Sequence, residues 1–541
     1  MRNADALIRA IEAHGVDTVF GIPGGAALPL YDALATSGIR HVLCRHEAAA
    51  GHAAEGWARA TGRPGVAIAT SGPGAVNLLT AVADAWMDSV PVVFLCGQVA
   101  THLRGTMAFQ ETDVTTMSIP VVKHSACAGH GDDLAAAFHS AYELAGSGRP
   151  GPVLLEIPVD VAKAQAPPHG IVDYRPPRPL MPPAPDATRI AEAGNVLAGA
   201  QRPVILAGGG VVRAGAHRDL RGLAEALDAP YVTTLHGQEL GGGRGWLGMA
   251  GVYGTQAANW ALHRADVILA IGARFDDRLT GNLDGFAAGA QVIHVDFDRR
   301  ELGKLVRPDV AICADAGLAI EAIREAVATS SPKPARAAWW QEIDDQRRDH
   351  PVRPPAQHEG EAALDALAAA LPADAIVTTD VGLHQMWAAH RLDLGAGRGW
   401  ITSGGAGTMG FGVPAALGAK AAAPGREVVC VTGDGSLLMH LQELVTARAE
   451  RLPIKVVLLD NACLGMVRAQ QDRFLGGAFA ADLGDGPDWA LLARACGIQV
   501  ATTVEELLAT DGPALLHVPI PEAAEVLPMV APGATTQAML V

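Results

Sequence analysis

The chain has 541 residues, of which 49% are apolar and 18% charged, with 62 Gly and 35 Pro. This is the balance of a large, well-buried globular protein and not of a disordered one, and the length exceeds what a single core sustains, so about two to four domains are expected. Lys and Arg number 41 against 57 Asp and Glu, a formal charge of −16 that is thinly spread; this excludes nucleic acid as an expected partner and describes a solvated acidic surface.

Cys44, Cys96, Cys127, Cys313, Cys430, Cys463 and Cys496 stand singly, without a CxxC pair, which fits a reducing cytoplasm. The opening segment MRNADALIRAIEAHGVDTVFGIPGG reads as an amphipathic helix, a short strand and a turn, not as a signal or transit segment. No uninterrupted apolar run reaches the roughly 18 residues that a bilayer span needs. A soluble protein with no membrane partner is expected.

Apolar runs of strand length then recur: DTVFGIP, RHVLCRH, GVAIATS, PVVFLCG and VLLEIPVD. Stretches of helical spacing stand between them, such as AAAGHAAEGWARATG and GAVNLLTAVADAWMDS. This alternation predicts an α/β layer on a parallel sheet over residues 1–166. Residues 167–185, PPHGIVDYRPPRPLMPPAP, are dense in proline and read as an interdomain linker. A second α/β block over 186–330 carries PVILAGG, APYVTTL, ADVILAIG and AQVIHVDFD. The Pro- and charge-rich stretch SPKPARAAWWQEIDDQRRDHPVRPPAQ leads to a third block over 358–541, with DAIVTTD, EVVCVTGD, IKVVLLDN and ALLHVPI. The expected fold is α/β, with three doubly wound parallel-sheet domains.

The first and third blocks share a strand that ends in a small-residue turn opening a helix, TSGPGAVNLLTA and VTGDGSLLMHLQELVTA. Ligands gather at the carboxyl ends of strands in such sheets, so two such domains can each hold one end of an extended cofactor. In Gly433-Asp434-Gly435-Ser436 the glycines let the backbone approach a ligand, and the following helix directs N–H groups at an anion. Asn461 ends the next strand, and the hard oxygens of Asp434 and Asn461 suit Mg²⁺ shared with a diphosphate. On its own, GDG also fits a plain tight turn. Glu47 stands at a strand-to-helix junction, where a carboxylate ordinarily complements the helix dipole. Residues 405–410, GAGTMG, match a dinucleotide fingerprint literally. RGWITSGG before them is a poor first strand and no acid ends a second strand about 20 residues on, so no dinucleotide is expected there.

The GDG and Asn461 pattern, together with Arg45-His46-Glu47, resembles the thiamine-diphosphate enzymes. Segments in order along the chain, GIPGG, TSGPGAVN, GQV, AFQET, VVKH, RPGPVLLEIPVD, GARFDDR, TTDVGLHQMW, LGMV and PMVAPGA, are similar to the catalytic (large) subunits of the acetohydroxyacid (acetolactate) synthase family. The resemblance implies the thiamine-diphosphate-binding fold: a pyrimidine-binding first domain, an FAD-binding-like second and a diphosphate- and Mg²⁺-binding third. It implies that Asp434, Asn461 and the backbone carbonyl of Cys463 hold Mg²⁺. Glu47 is implied to bond the cofactor's pyrimidine nitrogen, where a carboxyl group drives the proton shift that activates it. Met409 is implied to wedge the cofactor into a bent shape, and Pro23, Gly24, Gly72, Asn77, His384, Gly407, Gly433, Gly435, Ser436, Gly465 and Met466 to line it.

The implied reaction decarboxylates pyruvate and condenses the two-carbon unit with a second 2-oxo acid. Phe109, Gln110 and Lys123 match residues lining the family's active site, and Arg278 matches the arginine that receives the second substrate's carboxylate, a task suited to a bidentate fork. A surface ion pair is the alternative for Arg278. FAD without net redox work is implied at Gly208, Gly209, Gly210, Thr234, Leu235, Met249, Gly251, Arg274 and Asp296. A homodimer or homotetramer is implied, with Glu47 and Asp434 of one site drawn from different copies, and a small regulatory subunit. Gln470 departs from a Trp that favours 2-oxobutanoate, and Ala100, Thr101, His102, Met107 and Leu383 also depart from the family. These departures leave open a carboligase with a specialised acceptor. Glu47, Asp434 and Asn461 stand against a fold-mate without the chemistry, and Glu47 against a glyoxylate carboligase.

Overall fold

The computed structural model describes residues 1–167, 183–329, 335–395 and 397–541, so the expected proline-dense linker falls mostly outside the described residues. Three six-stranded sheets follow one another along the chain. The first is built from β1 (Thr18–Gly21), β2 (Arg40–Leu43), β3 (Gly65–Ala69), β4 (Val92–Gln98), β5 (His124–Cys127) and β6 (Val153–Pro158). Its order is β2-β1-β3-β4-β6-β5, with parallel pairing throughout. β3, β4 and β6 are buried along their length, which is why they read as continuous apolar runs.

The second sheet contains β7 (Pro203–Ala207), β8 (Tyr231–Thr233), β9 (Trp246–Met249), β10 (Val267–Ile271), β11 (Gln291–Asp296) and β12 (Val310–Cys313). These lie in the order β12-β11-β10-β7-β8-β9, again parallel. The third contains β13 (Ile376–Thr379), β14 (Gly399–Thr402), β15 (Val428–Gly433), β16 (Lys455–Asp460), β17 (Gln499–Ala501) and β18 (Ala514–Pro519), in the order β14-β13-β15-β16-β18-β17. The expected α/β class with three sheets is the observed one. RGWITSGG forms the edge strand β14, but the next helix opens only at Gly412, so 403–411 is an irregular segment and no dinucleotide turn.

The chain divides into two compact units: the first and third sheets make one, and the second sheet, with Gln385–Trp400 and Ala523–Val541, makes the other. In the first unit one apolar core runs through both sheets, including Phe20, Trp57, Leu78, Phe411, Cys430 and Leu458. Its axis is the contact between helices Glu47–Thr61 and Gly412–Ala422. A Cβ on Gly56 would lie 2.1 Å from Ala415 O, and one on Gly418 1.8 Å from Ala53 O, so only small residues allow the two backbones to meet.

In the second unit, the stretch expected to be only a connector contains helix Ala337–Asp349. Trp339 is buried and stacked on Trp260, with ring centroids 5.4 Å apart, and Arg336 donates to the carbonyls of Leu197 and Ala200 at the end of helix Ala187–Gly199. One apolar face, Trp339 and Ile343, suffices to dock a helix whose other positions are charged. Among the described residues, no helix is long and apolar enough to cross a membrane.

Candidate functional site

Two clusters of side chains form at the carboxyl ends of strands in the first unit. The first cluster follows β1, β2, β3 and β4. Glu47 is the first residue of its helix, capped by His46 Nδ1 accepting from Ala48 N at 3.1 Å. Asn77, in helix Pro73–Asp88, donates from Nδ2 to Glu47 Oε2 at 2.9 Å. Pro23 and Gly24 follow β1, and a Cβ on Gly24 would lie 2.5 Å from Thr70 Cβ, the same side chain that borders Gly74. Gly72 has φ +62° and a Cβ there would meet Gln110 Cβ at 2.9 Å, so this turn requires glycine twice over. Gln110 itself has φ +60°. Sequence reasoning thus placed Glu47, Asn77, Gly24, Gly72 and Gln110 in one neighbourhood, and missed Thr70, which joins them.

Lys123 lies apart in role: its ammonium donates to the carbonyls of Leu144 and Ser147, at the end of helix Leu134–Gly146. A cation there satisfies carbonyls that a helix leaves unpaired. Phe109, beside Gln110, is 88% exposed.

The second cluster follows β13, β14, β15 and β16. Asp434 opens the short helix Asp434–Met439 and is 5% exposed. Burial, followed by the charge of neighbouring Asp460, pushes its carboxyl above the usual range. Asp460 is held down by His517, whose Nε2 lies 2.8 Å from Oδ2, and by Trp489 Nε1, donating at 2.8 Å. Two adjacent carboxyl groups with a buried Asn461 are a donor set that a hard divalent cation fits. Ala462 has φ +55°, turning the chain between Asn461 and Cys463, and Cys463 O accepts from Gly465 N at 2.9 Å. A Cβ on Gly465 would lie 2.4 Å from Asn461 Nδ2.

His384 Nε2 is buried without a hydrogen-bond partner among the described residues. Burial lowers its pKa to about 3, so the ring is neutral. A Cβ on Gly433 would stand 2.7 Å from His384 Nδ1, so the glycine admits the imidazole. An orphaned donor or acceptor beside Asp434 fits a phosphate oxygen. Met409 lies over Gly435, its Cε 3.6 Å from the position of a Cβ there. Gly407 has φ +67°, Ser436 Oγ donates to Val381 O at 3.3 Å, and Met466 sits in the first turn of helix Gly465–Phe474. No printed hydrogen bond or ion pair joins Glu47 to Asp434 or Asn461 among the described residues. The two clusters are therefore separate half-sites.

The second unit carries a third cluster. Gly208–Gly210, Thr234–Leu235, Met249–Gly251, Arg274 and Asp296 all follow or end the neighbouring strands β7, β8, β9, β10 and β11, on one edge of a parallel sheet. Gly208 and Gly210 owe part of their identity to packing, since a Cβ on either would meet Gly272 at 2.1 or 2.6 Å. Gln238 Nε2 is buried there without a hydrogen-bond partner among the described residues. Asp296 Oδ1 accepts from Asp298 N at 2.8 Å, and Arg274 lies 3.6 Å from Asp276. The side chain of Arg278 is 70% exposed and 3.5 Å from Asp277, while its carbonyl accepts from Val252 N at 2.7 Å.

Family models described as thiamine pyrophosphate enzyme, N-terminal TPP binding domain, central domain and C-terminal TPP binding domain match residues 1–117, 190–323 and 380–518. An acetolactate synthase large subunit of Parasynechococcus marenigrum is 44% identical over 564 residues, covering 99% of this chain and 90% of that protein. The acetolactate synthase isozyme 2 large subunit of Escherichia coli is 44% identical over 560 residues, covering 100% and 99%. The isozyme 1 large subunit of the same organism is 41% identical over 557 residues, covering 99% and 97%.

Proposed function

We propose that this chain, which belongs to the thiamine pyrophosphate enzyme family, is an acetolactate synthase that decarboxylates pyruvate and joins the two-carbon unit to a second 2-oxo acid. The observation that carries this reading is the Asn77–Glu47 hydrogen bond, which fixes a carboxyl group at the carboxyl edge of the first sheet. Similarity to acetolactate synthases along the whole chain supports it.

Bound thiamine diphosphate would supply the electron sink for losing CO₂ from a 2-oxo acid. The chain's own residues would do the rest. Glu47 would hold a proton at its carboxyl against the pyrimidine nitrogen, with Asn77 preventing rotation. His384, Gly433 and the first turn at Asp434 would receive the diphosphate, and Asp434, Asn461 and the carbonyl of Cys463 would hold Mg²⁺. Met409, over Gly435, would exclude water from one side of the reacting atoms.

FAD in the second unit belongs to the same proposal. It is supported by the position of the third cluster on the carboxyl edge of a parallel sheet and by the buried amide of Gln238. Arg278 is the proposed acceptor-carboxylate residue, and Lys123 is left by its carbonyl contacts with a less direct claim. A homodimer that unites the half-sites is supported by the exposed apolar side chains beside them, Met107 and Phe109 next to Gln110, Leu438 and Met439 after Asp434. The name large subunit in the relatives supports a smaller partner chain as well.

The test is the product profile of the purified protein supplied with thiamine diphosphate, Mg²⁺ and pyruvate, alone and with a panel of second oxo acids. Acetolactate from pyruvate is expected. Pyruvate consumption without any carbon–carbon bond formation would refute the reading.

A further inference from the structure

The buried polar residues between helices Glu47–Thr61 and Pro73–Asp88 have no role in the reaction as described, yet nearly all of them reach residues 402–411. Asp88 accepts from Gly404 N at 2.9 Å with Oδ2 and from Gly405 N at 2.7 Å with Oδ1. Arg59 donates from Nη2 to Asp88 Oδ2 at 3.0 Å and from Nη1 to Thr402 O at 2.8 Å. Ser403 Oγ accepts from Thr408 N at 2.8 Å, and the hydroxyls of both residues lie beside Asp84. Gly410 O is 2.8 Å from His440 Nδ1. The Phe411 ring meets His52 edge-on at 5.2 Å and lies 5.7 Å from the Arg59 guanidinium carbon.

His52, Glu55 and Asp84 also bring one nitrogen or oxygen each within 4.8 Å of one another. Burial holds the Glu55 carboxyl protonated and the His52 ring neutral, and the Arg59 charge stands beside them, so this cluster is not built for a metal ion. Its outlet is the segment it grips.

We propose that Asp88 is a positioning residue for catalysis, which fixes Gly404 and Gly405 and thereby sets where Gly407 and Met409 stand against the cofactor. The proposal rests on the reading of 403–411 as the wall that bends thiamine diphosphate. A carboxylate suits this task because two oxygens serve three donors through charge-assisted bonds. An amide would offer one acceptor oxygen, set an NH₂ against a backbone N–H, and leave the largely buried Arg59 without its counter-charge. The segment has no slack in which to absorb the change, since a Cβ on Gly405 would already lie 2.8 Å from Met87 Cβ.

The test compares Asp88→Asn and Ser403→Ala with the unaltered full chain. Three readouts are taken: the thermal midpoint without cofactor, the calorimetric Kd for thiamine diphosphate with Mg²⁺, and the near-ultraviolet circular dichroism of the bound cofactor. Asp88→Asn is expected to raise the Kd by about tenfold or more, to alter the circular dichroism at saturation, and to lower kcat more than it changes KM for pyruvate. Ser403→Ala should shift the same quantities less. Unchanged Kd and circular dichroism in a folded Asp88→Asn protein overturn the proposal. If Asp88→Asn does not fold, unchanged values in Ser403→Ala overturn it. Failure of the unaltered chain to bind thiamine diphosphate overturns the functional reading and this proposal with it, whereas normal binding in all three proteins refutes Asp88 alone.

Discussion

Asn77 and Glu47 meet at the N-terminal ends of neighbouring helices, Nδ2 donating to Oε2 at 2.9 Å. The bond leaves the carboxyl one fixed orientation, because Gly74 and Thr70 close the space around it: a Cβ on Gly74 would lie 3.1 Å from Glu47 Oε1.

Glu47→Gln is expected to lower turnover by about 10²–10⁴-fold, since an amide cannot exchange the proton that a general acid–base must move. Asn77→Ala should cost less, about tenfold, because it frees the carboxyl without removing it. Steady-state kinetics and calorimetric titration with thiamine diphosphate check both. The Glu47→Gln protein should still bind the cofactor, and near-normal turnover in it would remove Glu47 from the reaction.

Asp434→Ala should abolish Mg²⁺-dependent binding of thiamine diphosphate, leaving an incomplete oxygen set. The pH dependence follows from the direction of the Asp434 shift. Burial and Asp460 raise its folded-state pKa, so protons compete with the cation further up the pH scale than they would at an ordinary aspartate. Affinity for Mg²⁺ in the presence of the cofactor should therefore fall as pH is lowered from 8 to 6, by up to about tenfold per unit once the carboxyl is mostly protonated. Titrations at several pH values measure this, and a flat profile would contradict it.

Asp380 offers a stability test. It is fully buried, accepts from Gly412 N at 2.9 Å and Thr432 Oγ at 2.7 Å, and burial pushes it up to about 6. The folded state then holds the proton more tightly than the unfolded one, so this group's contribution is most favourable below the unfolded pKa and is lost as pH rises from about 4 through about 6. The unaltered chain should lose stability relative to Asp380→Asn across that window, by on the order of 3 kcal/mol. Thermal midpoints of the two proteins between pH 4 and 7 would show a parallel pair of curves if the argument is wrong.

The central strands were legible because β3, β4, β10, β15 and β16 are apolar runs flanked by turns. The edge strands β5, β9, β12, β14 and β17 were not read, since three or four residues with one partner carry too little apolar pattern. Helix Ala337–Asp349 was hidden by its charge, because only Trp339 and Ile343 face the core. At the half-sites, Asp434 and Asn461 were readable from strand-end placement, but Glu47 gained its meaning from family resemblance alone. Asp88 and Arg59 left no local signal, since their partners at Thr402, Gly404 and Gly405 lie more than 300 positions away. Lys123 shows the converse: a matching segment does not fix a side chain's contacts, and here the ammonium turns to two helix-end carbonyls.

Acceptor choice is where the chain departs most from its family, and it is open to direct test. Arg278 exposes 70% of its side chain and has Asp277 at 3.5 Å, a loose pair that an incoming carboxylate can replace. Arg278→Lys should depress condensation more than the preceding decarboxylation, by about tenfold, because a point charge lacks the planar fork that grips two oxygens. Unreacted two-carbon units would then appear as acetaldehyde. Gln470→Trp should separately favour 2-oxobutanoate over pyruvate, since a larger apolar wall rewards one additional methylene. That group is worth about 1–3 kcal/mol, so the shift should reach about tenfold or more. Competition between the two oxo acids, with both condensation products and acetaldehyde quantified, reads all of this in one experiment. Equal loss of decarboxylation and condensation in Arg278→Lys would show that the arginine does not act on the acceptor. An unchanged product ratio in Gln470→Trp would place that side chain outside the acceptor pocket.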